Sequence, residues 1–299
     1  MPSVRSLGAA LCALLLGACA TTADAQSIRA SYPEGPLWHD GALYYAEMGA
    51  DRVSVVRDGR RTDYFRREGC GPTALAPYGD GFLVLCHIEG AVVAIDANAN
   101  VRFVRDSDDE GHAFRDPNDC YADGNGGVYF SDPGLFSRET RPHGALVHID
   151  AAGHIRRVAT DLWYPNGVFV DQAHRTLYLS ETFRHRVLRY PLQDDGALGP
   201  MEVFFNVESA PADTRYRPAY REAGPDGLEI GPDGALYVAI YGEGRFLRIG
   251  RDGRYLGEVR ARTRYLTNIA FAPGGGAYIT GAFENEVPPF PGEVRRIEP

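Results

Sequence analysis

The sequence predicts an all-β chain, a six-bladed β-propeller of four-stranded antiparallel blades with its ring closed by an N-terminal strand. Three observations carry that expectation. A polar, turn-forming motif ahead of an apolar strand recurs six times, as Glu34-Gly35-Pro36, Gly71-Pro72-Thr73, Pro117-Asn118-Asp119, Pro165-Asn166-Gly167, Pro225-Asp226-Gly227 and Thr267-Asn268-Ile269. With Glu34, Pro72, Asn118, Asn166, Asp226 and Asn268 as equivalent points, the steps are 38, 46, 48, 60 and 42 residues, a period in the range of propeller blades. Each copy is followed by the same series of short strands, and the chain stops after the third strand of the last copy.

The first strand of each blade starts at its motif. Second strands read as 42–46, 82–86, 127–131, 176–180, 235–240 and 276–280, and third strands as 53–56, 92–95, 146–149, 187–190, 244–249 and 294–297. In the fifth copy the turn Gly231-Pro232-Asp233-Gly234 separates the first two strands, and Asp252-Gly253 leads into a fourth at 255–260. Gly and Asp turns between short β-branched and aromatic runs specify an antiparallel meander. The sixth copy ends at Pro299 with no sequence for a fourth strand, so the extended segment 27–32 is expected to supply that edge. An unpaired edge would otherwise leave its backbone groups without partners.

Composition agrees. A chain of 299 residues that is 44% hydrophobic with 35 glycines can bury a large core, and the repeat assigns residues 26–299 to one domain. No segment is low-complexity, and no long amphipathic helix pattern occurs. The net charge of −9 and pI of about 5.4 are opposite to a nucleic-acid binder's basic footprint. Arg60-Arg61 and Arg66-Arg67 read as solvated strand edges.

Residues 1–25 read as an export signal. Arg5 precedes an apolar run at 7–18, shorter than the ~20 residues a spanning helix needs. Two processing sites compete: Leu16-Gly17-Ala18-Cys19 resembles a lipoprotein box that would lipidate Cys19 and tether the protein to a membrane, and Ala23-Asp24-Ala25 suits ordinary cleavage. Both export the chain, and the expected compartment is the periplasm. There Cys70, Cys86 and Cys120 permit at most one internal disulfide. In the meander Cys70 begins the first strand of blade two and Cys86 ends the second, so the expected pair is Cys70–Cys86; the alternative is three small buried residues.

The innermost strand of every blade lines the channel, so the six motif positions form a ring at one mouth. That ring reads Glu34, Pro72, Asn118, Asn166, Asp226 and Asn268. Two carboxylates and three amides in one cavity are costly to bury unpaired. A hard cation removes the conflict, and Ca²⁺ takes such oxygen ligands. No His-rich or Cys-rich cluster suits a softer metal.

As an ordered set, Glu34-Gly35-Pro36-Leu37-Trp38, Pro117-Asn118-Asp119 with 129–133, Pro165-Asn166-Gly167 with 178–182, and Pro225-Asp226-Gly227-Leu228 resemble the senescence-marker-protein and gluconolactonase-like (regucalcin-like) propellers over nearly the whole mature chain. The resemblance implies a divalent metal, Ca²⁺ first and Zn²⁺ or Mn²⁺ as alternatives, held by Glu34, Asn166 and Asp226, with Asn118 on the substrate. It implies a lactonase that opens a sugar-acid or related lactone, with Asp226 also as general base. Where sugar-lactonase relatives carry an Arg two residues before the Asn, this chain has Asp116. A phosphotriesterase-like esterase in the same site and a non-catalytic calcium-containing binding module are the rival readings. A monomer acting on a small molecule is expected.

No Gly-x-Ser-x-Gly elbow, His-Glu-x-x-His helix or Gly-x-x-x-x-Gly-Lys loop occurs. His87, His112, His143 and His185 fall near strand ends or loops and read as ordinary surface histidines able to reach the mouth. The long step into Asp226 contains an insertion, 206–224, whose Tyr216, Arg217 and Tyr220 could shape a lid.

Overall fold

A computed structural model describes residues 27–138, 141–215 and 221–299. The export segment with Cys19, and the lid residues Tyr216, Arg217 and Tyr220, lie outside the described residues. Strand β1 (Ser27–Ser31) is followed by β2 (Pro33–His39), β3 (Ala42–Glu47), β4 (Arg52–Arg57) and β5 (Arg60–Arg66), then β6 (Pro72–Tyr78), β7 (Gly81–Cys86), β8 (Ala91–Ile95) and β9 (Val101–Arg105). Next come β10 (Cys120–Ala122), β11 (Val128–Asp132), β12 (Gly144–Ile149) and β13 (Ile155–Leu162), then β14 (Pro165–Asp171), β15 (Thr176–Glu181), β16 (Arg186–Pro191) and β17 (Glu202–Asn206). The chain ends with β18 (Gly224–Ile230), β19 (Leu236–Tyr241), β20 (Arg245–Ile249), β21 (Tyr255–Arg260), β22 (Tyr265–Phe271), β23 (Ala277–Ala282) and β24 (Pro291–Ile297).

These strands form six four-stranded antiparallel sheets, five of them sequential meanders such as β2-β3-β4-β5. The sixth runs β1-β24-β23-β22, so the first strand closes the ring by pairing Ser27 to Arg295 and Ser31 to Pro291. Covering the open edge of the last blade satisfies its backbone groups.

Hairpins are set by one repeated device. Asp96, Asp123 and Asp150 each turn a carboxylate oxygen back onto the N–H groups two and four residues on, at 2.7–2.9 Å. These are Asx turns, which explains why Asp and Asn punctuate the repeat.

The core lies between blades rather than within one layer. Leu75, Val84 and Val93 of the second blade pack on Val53 and Val55 of the first. Leu83, Leu85 and Val92 face Phe130 and Val147 of the third. Alternate strand positions thus point to opposite neighbouring blades, and similar clusters fill the remaining interfaces.

Candidate active site at the channel mouth

Five of the six inner strands enter the axis through a β-bulge; β10 of the third blade pairs with β11 without a slip. Pairing to the second strand slips between Glu34 and Leu37, Pro72 and Ala74, Pro165 and Val168, Pro225 and Leu228, and Leu266 and Asn268. A bulge bends the strand and re-aims one side chain. Here it turns the motif residue into the channel.

Register corrects the predicted ring at two places. In blades two and six the residues equivalent to Glu34 are Thr73 and Thr267, each one position away from the expected Pro72 and Asn268. Thr73 donates to the Pro117 carbonyl at 3.2 Å, and Thr267 to the Pro33 carbonyl at 3.0 Å. Both hydroxyls thereby stitch one inner strand to the next around the ring. Tyr32, Gly71 and Tyr164, two residues ahead of Glu34, Thr73 and Asn166, share a left-handed backbone with φ of 46°, 49° and 58°.

One residue further, the layer beneath reads Gly35, Ala74, Asp119, Gly167, Gly227 and Asn268. Its glycines are steric requirements: a Cβ at Gly167 would lie 2.3 Å from the Asp226 carbonyl oxygen, and one at Gly227 would lie 2.0 Å from Asn268 Cγ. The space they leave lets Asp119 of blade three meet Asn268 of blade six. Asn268 Nδ2 donates to Asp119 Oδ2 at 3.2 Å, the Val168 N–H donates to the same oxygen at 3.1 Å, and the Cys120 N–H donates to Oδ1 at 2.9 Å. This pair floors the site. Below it a chamber of about 100 Å³ is lined by Asp119, Asn268 and Glu229.

Above the floor, a cavity of about 300 Å³ is lined by Glu34, Asn118, Asn166 and Asp226 together with Thr73, His87 and Thr182. The structure therefore brings together all four predicted oxygen-bearing residues of the site. Aromatic and apolar walls come from Tyr32, Met48, Phe136, Tyr164 and Tyr241. Phe136 packs at 4.8 Å from Tyr164 and 5.1 Å from Phe183, ring centre to ring centre. The Tyr32 and Tyr241 hydroxyls are 2.7 Å apart, and Asn285 donates to Tyr241 at 2.9 Å.

The electrostatics are those of crowded, desolvated acids. Burial, then the charges of Asp226 and Asp119, push the Glu34 carboxyl well above its usual range. Burial and Asp119 push Asp226 up likewise, against hydrogen bonds from the Gly227 N–H and the Asn166 amide. Burial raises Asp119 to about 7 and Glu229 to about 8. Among the described residues no arginine or histidine pairs with Glu34 or Asp226. Asn166 Oδ1 is buried with no hydrogen-bond partner. A carbonyl oxygen so placed costs about 1–3 kcal/mol unless a donor or a cation meets its lone pairs, and a cation would at the same time relieve the two carboxylates beside it. The donor set of two carboxylates and two amides fits a hard divalent cation.

Equivalent ties hold the inner strands at the mouth. Glu47, last in β3, accepts the Ser31 N–H at 3.0 Å. Asp132, last in β11, accepts the Arg115 and Asp116 N–H groups at 2.9 and 3.0 Å. Glu181, last in β15, accepts the Trp163 N–H at 2.7 Å. In blade two a disulfide between Cys70 and Cys86 occupies the same position. Cys120 is a buried free thiol.

Of the four singled-out histidines only His87 lines the cavity. His112 bonds Asp108 at 3.0 Å, His143 bonds the Arg141 carbonyl at 2.6 Å, and His185 sits against Arg138. Arg138 also donates to the Arg221 and Ala223 carbonyls at 2.8 and 3.1 Å, which anchors the exit of the 206–224 insertion. The walls Tyr32, Phe136, Thr182, Tyr241 and Asn285 were not foreseen; Tyr164 alone had a sequence signal, its place directly before Pro165-Asn166.

The sequence matches the SMP-30/Gluconolactonase/LRE-like region over residues 32–283. It is 28% identical to a 6-deoxy-6-sulfogluconolactonase of Pseudomonas putida over 263 residues, 84% of this chain and 84% of that one. Among solved structures, a gluconolactonase from Xanthomonas campestris superposes with a TM-score of 0.70 at 21% identity, covering 92% of this chain and 91% of that chain. A calcium-binding protein, regucalcin, from Agrobacterium tumefaciens does so with a TM-score of 0.68 at 18% identity, covering 91% and 92%.

Proposed function

The chain belongs to the SMP-30/gluconolactonase/LRE-like family, and on that premise we propose that it is a divalent-metal-dependent lactonase working at the channel mouth. One observation carries the reading: Glu34, Asn118, Asn166 and Asp226, from four different blades, line one cavity in which Asn166 Oδ1 has no partner. Glu34, Asn166 and Asp226 would hold the cation, and calcium suits an all-oxygen set. Such an ion polarises a lactone carbonyl and makes a nearby water more acidic.

The protein groups do the rest. Asn118 orients the lactone oxygen by its amide. Asp226 turns a carboxylate oxygen toward the attacking water and is the first candidate for its proton. Tyr32, Phe136, Tyr164 and Tyr241 exclude water from the far side of the substrate. Export to the periplasm, where a Cys70–Cys86 disulfide persists, and action as a monomer complete the proposal.

The test is hydrolysis of a panel of aldonolactones and aliphatic lactones by the purified mature protein, before and after chelation. Turnover that disappears with chelator, returns with Ca²⁺ and is lost by at least roughly 10²-fold in Asp226→Asn supports the reading. Turnover indifferent to chelation, or Asp226→Asn at full rate, removes it.

A further inference from the structure

His87 is the one imidazole on the cavity, and its orientation is fixed by backbone. Nδ1 lies 3.1 Å from the Asp116 carbonyl oxygen and 3.3 Å from the Pro117 carbonyl oxygen. Both neighbours only accept, so Nδ1 carries the proton and Nε2 is left with a lone pair. The ring stands directly after β7, next to the Cys70–Cys86 tie that fixes this strand end.

We infer that His87 is a catalytic base of this site, with Nε2 as the atom that receives the proton of the attacking water. The assignment rests on the lactonase reading above. Asp226 makes a poorer acceptor once its oxygens are shared with a cation, because the same charge that holds a carboxylate lowers its basicity. Asp226 then orients the water, and His87 takes its proton.

The step balances without any further reagent. The water oxygen bonds the lactone carbonyl carbon as its proton passes to Nε2, and the carbonyl π pair moves onto the carbonyl oxygen. Collapse of that tetrahedral species breaks the ring C–O bond, and Nε2–H returns the proton to the departing alkoxide. The product is the open hydroxy acid, and His87 ends neutral as it began. Burial holds the imidazole below its ordinary pKa against the pull of Asp116 and Asp132. A neutral ring is therefore the resting form.

The experiment compares wild type with His87→Ala and with His87→Gln, whose amide can still donate to the Pro117 carbonyl and so guards against misfolding. Both variants are expected to keep the Ca²⁺-induced thermal shift and KM while kcat falls roughly 10²–10⁴-fold. Added imidazole is expected to restore turnover in His87→Ala and not in His87→Gln, where the space is filled. Variants that retain wild-type kcat overturn the assignment alone. So does loss of the Ca²⁺ shift together with activity, or failure of imidazole to rescue His87→Ala. A wild type that hydrolyses no lactone overturns the lactonase reading itself.

Discussion

At position 167 a single hydrogen atom decides whether the site can form. Alanine there would set its Cβ 2.3 Å from the Asp226 carbonyl oxygen, and backbone cannot rotate out of the way as a side chain can. We expect Gly167→Ala to destabilise the fold by about 1–3 kcal/mol, as overpacking does, and to abolish the Ca²⁺-dependent thermal shift because the Asp226 strand is displaced. Denaturant melts with and without Ca²⁺ check both; an unchanged shift would mean the strands tolerate separation. The same residue scale shows what was legible in sequence. Asn166, Asp226 and Glu34 stood out because their Pro and Gly neighbours mark the bulge, and Asn118 because Pro117 places it at the same point of the repeat. Thr73 and Thr267 did not, because a threonine that donates to a neighbouring strand carries no turn signature. The ring was therefore read one residue out of step in two blades, with Asn268 assigned to the mouth when it belongs to the floor.

Elements are held to one another by the ties at the second-strand ends, and these differ in kind but not in place. Glu47 lies fully buried, taking the Arg52 guanidinium through two bonds of 2.9 Å, the Ser54 hydroxyl at 2.6 Å, the Arg61 guanidinium and the Ser31 N–H of the closing strand. Although burial alone would raise its pKa, these donors together hold it below the ordinary value. Glu47→Gln leaves two arginines facing a neutral amide and is expected to cost about 3–5 kcal/mol, as breaking a buried pair does. In blade two the covalent tie closes a loop with a separation of 16 residues, for which chain entropy gives about 3 kcal/mol. The double variant Cys70→Ser/Cys86→Ser should lower the urea midpoint accordingly while leaving the other blades paired; no change in midpoint would show that the local strands hold this loop without it. Cys86 was visible as the end of a predicted strand, and Glu47, Asp132 and Glu181 each lie one residue past the predicted ends at 46, 131 and 180. Their shared purpose was not visible, since carboxylate and disulfide have no common sequence pattern and only superposed blades reveal the equivalence.

For the whole molecule, blade count, strand order and ring closure followed from the repeat, because each is set by short-range turn chemistry and period. The crowding of Glu34 and Asp226 at the mouth was readable from the ring, but the full axial charge balance was not, since the share of Asp119 and Glu229 depends on side chains from opposite blades meeting below the mouth. That balance predicts an unusual pH dependence for the cation-free protein. Asp119 and Glu229 have folded pKa values of about 7 and about 8, against unfolded values of about 3.9 and 4.3. Between those limits the folded chain binds more protons than the unfolded one, so stability is greatest below about pH 4 for these groups and falls as pH rises through 7 and 8. The raised pKa values of Glu34 and Asp226 add to the loss in the same direction. Glu47 acts oppositely, losing its contribution only on acidification below the ordinary carboxylate range. Chelated protein should therefore melt at a lower temperature at pH 8 than at pH 5. Because a cation binds only the ionised carboxylates, the Tm gained on adding Ca²⁺ should grow over the same interval. Scanning calorimetry at pH 5, 6, 7 and 8, with chelator and with Ca²⁺, measures both trends. A chelated Tm that stays flat or rises toward pH 8 would mean that the axial acids are ionised and compensated by the protein itself, and that no cation is needed at the mouth to relieve them.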